Sequence, residues 1–200
     1  MRRHIIFFVL FTLGLFSCST YREKSKDTAD VPFSEFLKKF KLLQLPLTFR
    51  QNQTIEKGLP EYNENSIDTL FVKNYGKQSV YYGMLPDTSN YFGLIFILAG
   101  VQNSPPVLKT YDKSGKQISE AFLHCGNCIA GLDIEWCSST GIIKNDLTIY
   151  SVDTIKTIKH DNSLKAINGT EEYYMIYRNC KINPNGKTTV PAEQKKSLNH

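Results

Sequence analysis

Four cysteines in the second half of the chain, Cys125, Cys128, Cys137 and Cys180, are the side chains best suited to chemistry. Thiols can close disulfides, hold a metal or exchange with other thiols. Cys125-Gly126-Asn127-Cys128 has the composition of a β-turn, whose outer Cα atoms approach within about 7 Å, near the upper limit for a disulfide. A Cys125–Cys128 bridge would leave Cys137 to pair with Cys180. The chain-entropy model assigns the long loop about 4 kcal/mol and the short one about 2 kcal/mol. The other two connectivities of four cysteines stay open. Zinc would want two close ligand pairs, and Cys137 and Cys180 are solitary, so no metal ligands are nominated.

Cys125 to Cys128 resembles thioredoxin-type redox motifs in spacing. Such motifs open an amphipathic helix, and Ile129-Ala130-Gly131-Leu132 has no helical period. Structural disulfides are therefore the expected role of these thiols. Nucleophilic catalysis has no Gly-x-Ser-x-Gly elbow to build on, and Ser138-Ser139-Thr140-Gly141 reads as a small-residue turn. His124 and His160, with Asp133, Glu135 and Asp161, hold the group types of an acid-base or metal cluster, but their irregular spacing fits surface positions. Asp112-Lys113-Ser114-Gly115-Lys116 lacks the frame of a phosphate loop and reads as a hairpin turn. No catalytic residue and no cofactor are expected. Aromatic residues supply the remaining signal. Tyr173, Met175 and Tyr177 fall on one face of a strand and Tyr174, Ile176 and Arg178 on the other, so one set faces outward, where tyrosines can stack on a sugar or peptide or line the rim of the core. Trp136, beside Cys137, is expected to pack on a disulfide.

The elements that must position these residues are mostly strands. Phe33, Phe36, Leu37 and Phe40 recur at i, i+3, i+4 and i+7 and predict one short helix, with Asp30 as a possible N-cap and Pro46 as a stop. Residues 45–49 then change to period two, and residues 51–65 read as loop. Strands are predicted over 80–85, 91–98, 107–112, 117–124, 147–158 and 172–182, with a short return through Val190. Residues 66–72 fit a helical turn or a strand. The unbroken apolar run 94–98 predicts a strand covered on both faces. Glycine-containing turns at 112–116 and 183–187 mark hairpins. The fold class expected is mainly β, an antiparallel meander forming a barrel or sandwich, with one short N-terminal α-helix after a flexible tether.

The beginning of the chain carries an address. Arg2, Arg3 and His4 precede an apolar run from Ile5 to Phe16, too short to span a bilayer and laid out like a signal peptide. Leu15-Phe16-Ser17-Cys18 resembles the lipobox of bacterial lipoproteins, matching at Leu15, Ser17 and Cys18, with Phe16 bulkier than usual. That resemblance implies removal of residues 1–17 and lipidation of Cys18, as in small uncharacterised bacterial lipoproteins. It implies an address and no activity. Residues 18–31 then form a tether, 32–190 a β-rich domain and 191–200 a frayed tail. Ser19 after the cysteine favours the outer membrane, with the domain facing the periplasm. Without Arg2 and Arg3 the chain keeps 22 basic residues against 19 acidic, a formal +3. No basic stripe is visible, which excludes nucleic acid as a partner. The partners expected are the membrane, through the lipid anchor, and a protein or saccharide ligand of the envelope. Binding or scaffolding is the functional expectation. The rival is an envelope enzyme, either a thiol-disulfide oxidoreductase using Cys125 and Cys128 or a hydrolase using His124.

Overall fold

The computed structural model describes residues 33–51, 53, 57–66, 68–72, 79–87, 89–98, 104–128, 131 and 133–198. The signal segment 1–17, Cys18, the tether 18–31 and Asp30 lie outside the described residues. Among the described residues two short helices, α1 (Phe33–Leu37) and α2 (Asp68–Phe71), accompany ten strands: β1 (Leu47–Arg50), β2 (Ser79–Met84), β3 (Phe92–Leu98), β4 (Pro106–Tyr111), β5 (Gln117–Phe122), β6 (Ile134–Ile143), β7 (Thr148–Thr157), β8 (Glu172–Ile182), β9 (Thr188–Thr189) and β10 (Gln194–Ser197). All strand pairs are antiparallel. They form two sheets, β2-β3-β4-β5 and β1-β6-β7-β8-β10 with β9 beside β8, so the architecture is a sandwich and not a closed barrel.

The smaller sheet is buried on both faces, as the apolar run 94–98 predicts. Ile95, Ile97, Leu108 and Val80 pack with Phe49, Ile143, Ile149 and Cys180 of the larger sheet. Leu94, Phe96, Tyr81 and Tyr111 turn the other way, towards Phe33, Phe36, Phe40 and Val72. The i, i+3, i+4, i+7 face thus does its expected work, although the regular helix ends at Leu37 and Phe40 is held by a tighter turn, its N–H donating to the Leu37 carbonyl at 3.0 Å. Phe36 contacts Phe40, Phe71 and Tyr81 at ring-centroid distances of 5.3, 5.0 and 5.6 Å. Each such ring contributes about 1.5–3 kcal/mol through burial. Asp68 fastens the helical layer: fully buried, it pairs with Lys39 and accepts the Asn63 N–H at 2.9 Å.

Two parts of the sequence reading are revised here. The supposed turn at Ser138–Gly141 lies in the middle of β6, where its small side chains serve close packing. The supposed frayed tail contains β10, whose residues Gln194 to Ser197 pair with Tyr177 to Tyr174 of β8. Gln-Lys-Lys-Ser lacks apolar alternation because all four residues are exposed, so period two could not reveal it.

Four turns, 112–116, 144–148, 161–165 and 183–187, share one design. The first N–H donates to the fifth carbonyl and the fourth N–H donates back to the first carbonyl. The fourth residue takes positive φ, at 87° for Gly115, 62° for Leu147, 61° for Leu164 and 80° for Gly186. Glycine adopts that conformation freely, whereas a leucine there costs about 1 kcal/mol. Leu164 is 65% exposed, so little packing is lost with its side chain. Leu164→Gly is expected to stabilise the protein by about 1 kcal/mol, raising the melting temperature by about 2–4 °C; a thermal melt followed by circular dichroism with no rise would refute the strain.

Candidate functional site

The strands of the larger sheet are longer than those of its partner, 10 and 11 residues in β6, β7 and β8 against 6 and 7 in β2 to β5. A stretch of its inner face therefore needs another cover, and the segment 122–128 that follows β5 provides it. The inward positions beneath this segment are Ser139 and Gly141 of β6, Ser151 and Asp153 of β7 and Arg178 of β8, which the register sets side by side. Ser151 Oγ donates to the Leu123 carbonyl at 2.9 Å. A Cβ on Gly141 would stand 2.0 Å from that same carbonyl oxygen, so only glycine admits the crossing chain. Arg178 donates from Nη2 to the carbonyls of Phe122 at 3.1 Å and His124 at 2.6 Å, and its Nη1 lies 3.5 Å from Glu193. Asp153, fully buried, accepts from Ser139 Oγ at 2.5 Å and from the Asn127 N–H at 2.6 Å. Asn127 also donates from its side chain to Glu193 at 3.2 Å.

The disulfide in this cover is Cys128–Cys137, with Cα atoms 5.5 Å apart. It replaces the pairing preferred from sequence, Cys125 with Cys128 and Cys137 with Cys180. Register explains the difference. Cys137 shares a row with Ile155 and Tyr174, whereas Cys180 shares one with Ile149, six residues further along β8. Six residues of strand span about 20 Å, far beyond disulfide reach. The short bridge closes a loop worth about 2–3 kcal/mol in the chain-entropy model. Cys180 is a free thiol buried in the core between the sheets. Cys125 is also free, with Sγ 3.7 Å from the Ile176 carbonyl.

These connections engage Asp153, Ser139, Arg178 and Cys128. Burial first, and then the charge of Asp153, pushes the Cys125 thiol up to about 12, the reverse of what a redox nucleophile requires. Ser139, Asp153 and His124 lie within one cluster, yet Ser139 donates to the carboxylate itself, and the residue is buried. A base that activates a serine must accept the proton of that hydroxyl. His124 is buried too, and its Nε2 meets no partner among the described residues. His160 and Asp133 do meet, at 3.5 Å, but Glu135 pairs with Lys156 and Asp161 caps its own turn. Among the described residues no three His, Cys, Asp or Glu side chains form a metal-binding group. The sequence reading passed over Asp153 and Glu193 and took Ser139 for part of a turn. Its clue was an aspartate at an inward slot of the alternating stretch 147–158.

The outer face of the larger sheet is the other candidate. Trp136 does not pack on the disulfide: strand alternation sends Cys137 inward and its neighbour outward. Trp136 is 48% exposed and Tyr173 is 39% exposed, and their ring centroids are 6.4 Å apart across the strand that carries Lys156. Further along the face Tyr150 and Tyr177 approach to 6.3 Å. Tyr173, Met175 and Tyr177 thus share the outward side as expected. Tyr174 faces inward beneath Lys195, whose Nζ lies 3.7 Å from its ring centroid. The rows from Trp136 to Tyr150 extend about 20 Å.

His124 gives this site a pH signature. Burial holds its ring below the usual histidine value, against the opposing effects of Asp153 and a hydrogen bond to the Phe49 backbone. The unfolded chain therefore takes up this proton first as pH falls, so the ring's contribution is intact above about 6.5 and is lost as pH drops through the folded value. Urea denaturation between pH 5 and 7.5 is expected to show stability rising with pH, and His124→Gln is expected to flatten the rise; an equal slope in the variant would exclude His124 as its source. Compared with protein-family models, curated proteins and solved structures, the chain matches none.

Proposed function

We propose that this is a lipid-anchored protein of the bacterial cell envelope that acts by binding and has no catalytic chemistry. The lipobox-like Leu15-Phe16-Ser17-Cys18 supports the anchor, and Ser19 supports an outer-membrane address with the domain in the periplasm. Among the described residues no helix is long and apolar enough to cross a membrane. One observation carries the binding role: two large aromatic side chains, Trp136 and Tyr173, stand exposed and adjacent on the outer face of the larger sheet. Aromatic rings of this kind present broad contact area at low entropic cost, and exposed clusters of them mark interaction surfaces. Cys128 and Cys137 are joined in the disulfide, Cys180 and His124 are buried, and Ser139 is held by Asp153, which leaves this face as the chemistry presented to a partner.

Two experiments test the two halves of the proposal. Cells grown with labelled palmitate are expected to yield labelled protein, and Cys18→Ser is expected to abolish the label; a mature protein whose Cys18 thiol is unmodified by mass spectrometry would refute the anchor. A photocrosslinking amino acid placed at Tyr173 is expected to give adducts in intact cells, whereas the same residue at Lys187, exposed on the turn after β8, is expected to give several-fold fewer. Equal yields at both positions would refute the face as the binding surface.

A further inference from the structure

Charge on the larger sheet is sorted by face, and the sorting identifies the occupant of the outer side. Register and burial alternation place Arg50, Lys156, Lys181 and Lys196 at outward positions of β1, β7, β8 and β10. Among the described residues, no outward position of this sheet's regular strand pairs carries an aspartate or glutamate. Two carboxylates flank this face at one end: Glu135, at the register shift beside Trp136, bonds Lys156 at 2.9 Å, and Glu171, just before β8, also acts on Lys156 electrostatically. The sheet's other acids point elsewhere: Asp153 is buried inward, Glu172 lies inward at 3.9 Å from Lys195, and Glu193 meets Arg178. The whole chain is only mildly basic, with 24 cationic side chains against 19 anionic, so the excess of cations at the outward positions of these strands is not a by-product of composition.

Between these cations lie Trp136, Tyr173, Tyr150 and Tyr177, with Met175 and Val152 half-buried among them. Tryptophan and tyrosine settle at the headgroup level of a bilayer, where an apolar ring body and a polar edge are both satisfied. Lysine and arginine are drawn to anionic headgroups, and their stems lie along apolar surface while the charge stays in water. A neutral sugar would want carboxylate and amide partners beside the stacking rings. Here the carboxylate beside Trp136, that of Glu135, is taken up by Lys156, and the other neighbours of Trp136 and Tyr173 are Ser138, Thr154 and Met175. The two rings are also tilted by 45°, which makes them a poor flat platform.

We infer that the outer face of the β1-β6-β7-β8-β10 sheet docks on an anionic lipid surface, through exposed Trp136 and Tyr173 and the outward cations Lys156, Lys181 and Lys196. The inference rests on the reading of this face as the binding surface of an anchored protein and names what it binds. Docking lays the domain flat against the bilayer that holds its lipid.

Trp136 is the only tryptophan in the chain, so its emission reports this face without labelling. The full mature protein, purified from membranes, is reconstituted with vesicles of phosphatidylcholine alone or mixed with phosphatidylglycerol, with and without brominated acyl chains. With brominated anionic vesicles the emission is expected to shift to the blue and fall at least twofold, several times more than with phosphatidylcholine alone, and to recover in 1 M salt. The triple variant K156E/K181E/K196E is expected to lose the quenching while keeping its far-ultraviolet circular dichroism and its flotation with vesicles. Flotation without quenching in anionic vesicles, equal quenching in both vesicle types, or quenching unchanged in the folded triple variant would each overturn the inference. In those cases adducts at position 173 would still leave the binding face standing. If the protein fails to float, the anchor reading falls, and quenching on simple addition of the same vesicles still decides the face.

Discussion

A four-stranded sheet that is apolar on both sides has to be covered twice, and the rest of the molecule follows from meeting that requirement. The strand Phe92–Leu98 carries Leu94, Ile95, Phe96, Ile97 and Leu98 without a polar interruption, all nearly inaccessible to water. One side is closed by aromatic residues of two short helices and the other by the larger sheet. Neither helix is long enough to be stable alone, so packing against Tyr81, Phe96 and Tyr111 holds them in place. Edges are covered as well. Pro60, Tyr62, Lys41 and Leu43 hydrogen-bond to β2, and at the other edge the chain after β8 reaches β5 and β4, where the Ser119 and Thr188 hydroxyls meet at 2.5 Å and Thr110 Oγ1 donates to the Gly186 carbonyl at 2.6 Å.

Once the smaller sheet is sandwiched, the larger one has a surplus. Its strands overhang, and the chain spends its polar residues there: a buried carboxylate, a buried guanidinium contact, two serines and a glycine receive the backbone of segment 122–128. A buried charge is tolerated only when its hydrogen-bonding capacity is filled, and Asp153 meets that condition through Ser139 and Asn127. The bridge from Cys128 to Cys137 then fixes the far end of the cover to the strand it lies on. Cysteine, histidine, serine and aspartate are gathered in one place here, and the hydrogen bonds from Ser139 and Asn127 to Asp153 clasp segment 122–128 to the sheet.

Much of this was legible before any coordinates. Apolar periodicity located six of the longer strands within a residue or two, because in those stretches burial alternates or is continuous, and it found the buried face of the first helix, although the helix ends at Leu37, short of Phe40 and Pro46. It failed at β6 and β10 for different reasons. In β6 the inward residues Ser139 and Gly141 are small so that a backbone can cross them, and composition alone makes such a stretch look like a turn. In β10 no residue is buried, so hydrogen bonds to β8 hold it without an apolar signature. The cysteine pairing was beyond reach for a related reason: it depends on which rows Cys137 and Cys180 occupy, and rows are set by strand register. The outward sorting of cations becomes visible only when parity on several strands is read together.

The position of β10 has a consequence for self-association. Without Gln194 to Ser197 in place, the backbone of β8 between Tyr174 and Tyr177 would present bare donors and acceptors to any neighbouring strand. Lys195 and Lys196 put adjacent charges on the strand that covers this edge, which discourages a second molecule from adding beyond it. Four exposed residues with no core of their own thus serve as a terminator for the larger sheet, limiting its growth by charge and not by burial.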